Sequence, residues 1–133
     1  MLSAIEQIKI DEGFEGNAYT DTVGKTTIGY GRNLDDNPIT KAEATFLLEN
    51  DLKKVVKQLS IYGFYTQLHA SKRAIIINMA FNMGIGGLLK FKKMINALES
   101  RDYIEASNQM LDSKWARQVK GRADRLAKQM REI

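Results

Sequence analysis

Residues 72–84 read KRAIIINMAFNMG, and this stretch, opened by Ser71, is apolar on nearly every side of a helix. Such a helix has no polar face to turn to water, so it belongs at the centre of a bundle. The rest of the chain must supply helices to surround it. Thr40 and Glu43 form a capping box just behind Pro38. Beyond it Ala44, Leu47, Leu48, Leu52, Val55, Val56 and Leu59 recur at helical spacing, which predicts an amphipathic helix of roughly 18 residues or more. Gly63 breaks the pattern before a short segment from Phe64 to His69. The buried helix is expected to end at Gly84, in a turn made of Gly84-Ile85-Gly86-Gly87. A further helix then carries Leu88, Phe91, Met94, Ile95 and Leu98 inward. Asp102 and Glu105 cap another, with Ile104, Met110 and Leu111. The last, from about Arg117 to Met130, uses Val119, Ala123, Leu126 and Met130.

The first forty residues follow a different pattern. A helix is predicted over Ser3 to Asp11, with Leu2, Ile5 and Ile8 on one face, ended by Gly13 and Gly16. The run Asn17 to Tyr30 is polar and β-prone, with Val23-Gly24-Lys25 as its hairpin turn. Gly29 and Gly31 flank Tyr30, where the backbone bends or approaches something closely. Asn33 to Pro38 reads as a loop. The fold class is therefore α+β, organised as one domain over residues 1–133. A small hairpin lobe at about 13–40 is expected to join, through the long helix, a larger helical lobe at about 60–133 that also takes the N-terminal helix.

Composition excludes several function classes. With 44% hydrophobic and 27% charged residues the chain is an ordinary globular one. It has no cysteine and one histidine, His69, so neither a disulfide framework nor a thiolate or His-rich zinc site is available. No metal or cofactor is expected, and His69 reads as a surface residue. No apolar run has transmembrane length, so no stable membrane insertion is expected. Glu6 and Asp11 interrupt the N-terminal apolar pattern, unlike a signal peptide. The net charge of +4 suits an anionic polymer. The basic residues from Lys114 to Arg131 lack interleaved exposed aromatics or a recognisable helix-turn-helix pattern, which argues against nucleic acid.

The candidate chemistry lies in IDEGFEGNAYTDTVGKTTIGYG. Eight residues separate Glu12 from Asp21, and five separate Asp21 from Thr27. Taken singly, Glu12 is a solvated helix end, Asp21 a turn residue and Thr27 a strand residue. Together they set two carboxylates in unlike environments beside a hydroxyl, which is what acid/base cleavage of a glycosidic bond requires.

That order, followed by Ile28-Gly29-Tyr30-Gly31, resembles the signature of the phage-type lysozymes, glycoside hydrolase family 24. Ile39 to Leu52 is similar to the start of the inter-lobe helix in T-even members of that family. Arg73 to Gly84 is similar to their buried central helix, and Ser113-Lys114-Trp115 with Arg122-Ala123 to their late tryptophan segment. The resemblance implies Glu12 as general acid, Asp21 as base or electrostatic stabiliser, and Thr27 as a holder of the attacking water. It implies Arg122 near the acid, orienting it, Phe81 lining the sugar cleft, and Asn82 and Gln109 at polar cleft positions. Met79, Met83 and Trp115 read as core. This sequence also departs from the family. Arg32 stands where the family has histidine, which implies an Arg32–Asp51 ion pair, and Asn33 replaces a leucine. The shortened loop from Asn33 to Pro38 implies a small lobe lacking a helix and part of the substrate rim.

The function implied is a peptidoglycan muramidase that cuts between N-acetylmuramic acid and N-acetylglucosamine during host lysis. The Glu12–Asp21 separation decides between inversion and retention, and the resemblance leans towards inversion. The implied setting is a monomer held in the host cytoplasm until a holin releases it to the periplasm and cell wall. A lytic transglycosylase would use Glu12 alone; Asp21 and Thr27, which imply a positioned water, argue against it. A silent wall-binding or tail-assembly module is the rival from another class.

Overall fold

The computed structural model describes residues 1–132. The fold is α+β, mainly helical with one small sheet. Contacts divide the chain into two compact units, Met1–Leu47 and Leu48–Ile133.

In the first unit α1 (Ala4–Glu12) starts at a capping box. Ser3 Oγ accepts from the Glu6 N–H, and the Glu6 carboxylate accepts from the Ser3 N–H. Gly13 closes it by donating its N–H to the Lys9 carbonyl. Strands β1 (Glu15–Thr20), β2 (Thr26–Gly29) and β3 (Arg32–Asn33) form an antiparallel sheet in that order. Tyr19 lies opposite Thr27, and Thr27 opposite Asn33. Thr27 is the one buried residue of this unit among the described ones. Ile5, Ile8 and Ile10 therefore find no cover within it, and Phe14 stays largely exposed.

The loop after β3 is tied down by charge. Arg32 pairs with Glu43 at 2.6 Å and donates to the carbonyls of Asn37 and Pro38. Glu43, rather than Asp51, is thus its ion partner. Glu43 stands in the first turn of α2 (Lys41–Leu59), where it also accepts the Thr40 N–H, while Thr40 Oγ1 accepts from the Glu43 N–H. The Thr40 bond, ahead of Arg32, holds the Glu43 carboxyl below the usual carboxylate range. The division between the units falls inside α2.

The second unit holds the core. After α3 (Gly63–Thr66), α4 (Ala70–Leu89) buries Ile75, Ile76, Met79 and Ala80. Gly84 interrupts α4 at φ 81, ψ 159, but the chain then resumes as helix instead of making the expected glycine turn. Leu88 is fully buried there, and burial of that kind outweighs the poor helix propensity of Gly86 and Gly87. Next come α5 (Lys92–Glu99), α6 (Tyr103–Leu111), α7 (Lys114–Val119) and α8 (Gly121–Arg131). The single last helix expected from the spacing is two, broken at Lys120 with φ 46. Helix α6 packs on both α5 and α8, its N-cap Asp102 accepting from Glu105 N–H. Met94, Leu98, Met110 and Met130 are fully buried, as is Leu59 at the end of α2. Ile104, expected inward, is exposed, because Ala106, Ser107 and Met110 form the buried face of α6. Among the described residues no single helix is long and apolar enough to cross a membrane.

Candidate active site

Glu12, Asp21 and Thr27 all lie in the first unit, on or against its sheet. Asp21 follows β1 and opens the hairpin turn. Its Oδ1 accepts from the N–H groups of Val23 and Lys25, at 3.0 and 2.8 Å. An aspartate that closes a turn on itself in this way is held in one rotamer. Its Oδ2 has no hydrogen-bond partner among the described residues.

The carbonyl of Lys25 joins the second and third members of the trio. It accepts from the Asp21 N–H at 2.9 Å and from Thr27 Oγ1 at 3.1 Å. Thr27 is 3% exposed, so its hydroxyl is fixed and its lone pairs remain available as acceptors. Asp35 supports this corner by accepting the Thr26 N–H, and Lys25 makes an ion pair with Asp36 at 3.4 Å.

Glu12 is the last residue of α1 and reaches the other end of β2. Its carboxylate lies directly on Gly31, in the turn between β2 and β3. A Cβ on Gly31 would meet Glu12 Oε2 at 2.5 Å, and Gly31 has φ +72. Both facts exclude a side chain there. The close approach expected somewhere near Tyr30 is therefore made by the backbone of Gly31 to the candidate acid.

The remaining candidates belong to the second unit. Asn78, Phe81 and Asn82 lie three and four residues apart on α4, hence on one face. Arg122, from α8, donates Nε and Nη2 to Asn78 Oδ1 at 2.9 and 2.6 Å. Trp115, buried on α7, donates its indole N–H to Asn82 Oδ1 at 2.8 Å. Phe81 is 45% exposed, unlike the buried Met79. Gln109 lies on α6, where it donates to Glu105. It lines an open cavity of about 370 Å³ with Phe91, Lys92, Lys93 and Asp112. Asn78 is a residue that the sequence reading misses; the four-residue spacing Asn78–Asn82 on a largely apolar helix is the one signal of it that the sequence carries.

A profile of the phage lysozyme family matches residues 9–131. The chain belongs to the phage lysozyme family. Over 154 residues it is 32% identical to "Pre-baseplate central spike protein Gp5" of Enterobacteria phage T4, covering 94% of this chain. The chain spans only 27% of that protein's length. Over 157 residues it is 29% identical to "Probable T4-type lysozyme 1" of Dictyostelium discoideum, covering 95% of this chain and 92% of that one. A second protein of that organism, "Probable T4-type lysozyme 2", is 26% identical with the same coverage. The family match takes in Glu12, Asp21 and Thr27 in the first unit and the Asn78–Arg122 and Asn82–Trp115 pairs in the second.

Proposed function

We propose that this lysozyme-family chain hydrolyses the β-1,4 bond between N-acetylmuramic acid and N-acetylglucosamine in peptidoglycan. Glu12 is the general acid, Asp21 the base, and Thr27 holds the attacking water. The observation that carries this reading is that Asp21 and Thr27 share one corner of the sheet while Glu12 is seated on the turn that joins its last two strands. Asp21 and Thr27 share the Lys25 carbonyl, while Glu12 rests on Gly31. Asp21 Oδ1 is occupied by the turn, which leaves Oδ2 to take a proton from water.

The two carboxylates are anchored at opposite ends of β2. Four strand residues at the usual rise set these anchors about 10 Å apart along the backbone, and a carboxylate separation of about 6.5–9.5 Å, with room for a water, would give inversion at the anomeric carbon. Phe81, Asn82, Gln109 and Arg122 are assigned to substrate binding. Asn78 fixes the guanidinium of Arg122 before substrate arrives.

The test is clearing of outer-membrane-permeabilised Gram-negative cells by wild type, Glu12→Gln and Asp21→Asn. Both variants should lose at least about a hundredfold in rate. A Glu12→Gln protein that still clears cells removes Glu12 from the acid role. Mass spectrometry of the digest separates hydrolysis, which adds water at the reducing end, from a transglycosylase that leaves an anhydro sugar. Proton NMR of the first product distinguishes inversion from retention.

Host lysis by a monomer, held in the host cytoplasm and released to the periplasm through a holin, is the setting proposed. The similarity to a phage spike protein favours a second setting, in which the same chemistry opens the wall as part of a virion. Antibody detection of the chain in purified virions decides between the two.

A further inference from the structure

We infer that Tyr30 is a positioning residue for Glu12, acting as the centre of a clasp formed with Lys9 and Phe14. The inference rests on the assignment of Glu12 as general acid.

Lys9 and Glu12 are three residues apart on α1 and so share a face. The turn Gly29-Tyr30-Gly31 meets that face in register. Gly31 lies under the Glu12 carboxylate, and the Tyr30 ring lies under Lys9, with Nζ 5.3 Å from its centroid. Past the helix end, Phe14 packs on the same ring, with centroids 5.6 Å apart and planes tilted by 52°. The ring is thus gripped by one residue before Glu12 and one after it. Glu15 then pairs with Gly29 and continues the attachment into the sheet.

These contacts are not core packing. Phe14 is 69% exposed and Tyr30 43%, so burial supplies little of the reason for two aromatic rings here. The glycine that admits the carboxylate explains the need for them. Gly31 has no side chain with which to hold Glu12, so the neighbouring residue provides the lateral restraint. Without the ring the first attachment past the helix end is the Glu15–Gly29 pair, and the Glu12 contact on Gly31 loses its lateral restraint. Misplacement of a catalytic group by about 1 Å costs on the order of a hundredfold in rate.

The clasp also governs a charge. Lys9 and Glu12 have the spacing of a helical ion pair. A lysine paired with the acid would favour its ionised form, which cannot donate a proton. Held over the ring face by cation–π attraction, the ammonium is kept from that partner. Asp11 and Glu15 carry the same sign as Glu12, Arg32 beyond Gly31 is paired with Glu43, and Arg122 is bonded to Asn78, which leaves Lys9 as the cation that the clasp controls.

The experiment compares kcat, KM and pH profiles on soluble glycan strands from peptidoglycan for the whole chain. Tyr30→Ala should lower kcat by roughly tenfold to a hundredfold with KM nearly unchanged. It should also move the alkaline limb of the profile to lower pH. Tyr30→Phe, which keeps the ring, should restore both. Adding Lys9→Met to Tyr30→Ala should return the limb while leaving part of the kcat loss. A folded Tyr30→Ala protein with wild-type kcat, a loss confined to KM, or a Tyr30→Phe protein as impaired as Tyr30→Ala overturns the clasp. If Tyr30→Ala does not fold, Phe14→Leu carries the same test by removing one grip and keeping the apolar bulk; wild-type kcat there overturns the clasp, and a kcat loss supports it. Glu12→Gln runs alongside. Activity in Glu12→Gln overturns the acid assignment itself, whereas an inactive Glu12→Gln with an unaffected Tyr30→Ala overturns the clasp alone.

Discussion

A Cβ atom on Gly31 would lie 2.5 Å from Oε2 of Glu12 and 2.8 Å from its carboxyl carbon. That is far inside van der Waals contact, so an alanine at this position must displace the carboxylate or the turn. Gly31 also has a φ of +72, which costs an L residue about 1–2 kcal/mol. Gly31→Ala should therefore lose about a hundredfold in cell-clearing rate, with a drop in thermal midpoint of only a few degrees. Near-normal clearing by a folded Gly31→Ala protein would show that the Glu12 carboxylate does not need this seat.

This relationship marks the boundary of what was legible from residues alone. Capping boxes are local, so Thr40 with Glu43 and Asp102 with Glu105 gave the starts of α2 and α6 correctly. Gly84 is the break that its residue type implies, but Gly86 and Gly87 are not a turn, because buried Leu88 keeps that segment helical. The break at Lys120 has no signal of its own beyond the neighbouring Gly121. The trio was found from spacing and family pattern; the seat of Glu12 on Gly31 depends on tertiary approach, which spacing does not encode. The histidine of the family implies Asp51 as the partner at position 32. A guanidinium reaches further and offers a fork of donors, and it finds Glu43 and two loop carbonyls instead.

Glu43 leads to a prediction about acid. Its folded-state pKa lies below the ordinary glutamate value of 4.5, chiefly through the Thr40 N–H and also through Arg32. A depressed pKa means that the folded state releases this proton more readily than the unfolded chain does. The contribution is therefore complete above 4.5 and fades as pH falls through the folded value. Glu43→Gln should show a shallower loss of stability than wild type between about pH 5 and pH 3 in urea titrations. Parallel curves for the two proteins would remove Glu43 from the acid limb.

The first unit is predicted not to fold alone. Thr27 is its single buried residue among those described, and Ile5, Ile8 and Ile10 are 67%, 52% and 69% exposed. A segment this small with no apolar core cannot offset its conformational entropy. A peptide of residues 1–47 should give a coil-like circular dichroism spectrum and no cooperative melt. Well-dispersed amide resonances from that peptide would contradict the expectation.

Lys72 carries the last prediction. It is 6% exposed on α4, and its Nζ donates to the carbonyls of Met130 and Glu132 at 2.8 and 2.6 Å. The ring of Tyr103 lies 4.6 Å away. A cation at the C-terminal end of α8 satisfies helix carbonyls and opposes the negative end of the helix dipole. Burial nevertheless pushes its pKa below 10.5, only partly offset by the charge of Glu132. Between the folded value and 10.5 the unfolded chain holds a proton that the folded chain has released. Stability must therefore rise with pH across that window. Lys72→Met removes the ionisable group, leaves the two carbonyls without this donor, and should cost about 1–3 kcal/mol. Its deficit against wild type should widen as pH is raised towards 10.5, because only wild type gains there. Urea denaturation of both proteins at a series of alkaline pH values reads the difference directly, and a constant offset between them would mean that Lys72 does not titrate differently on folding.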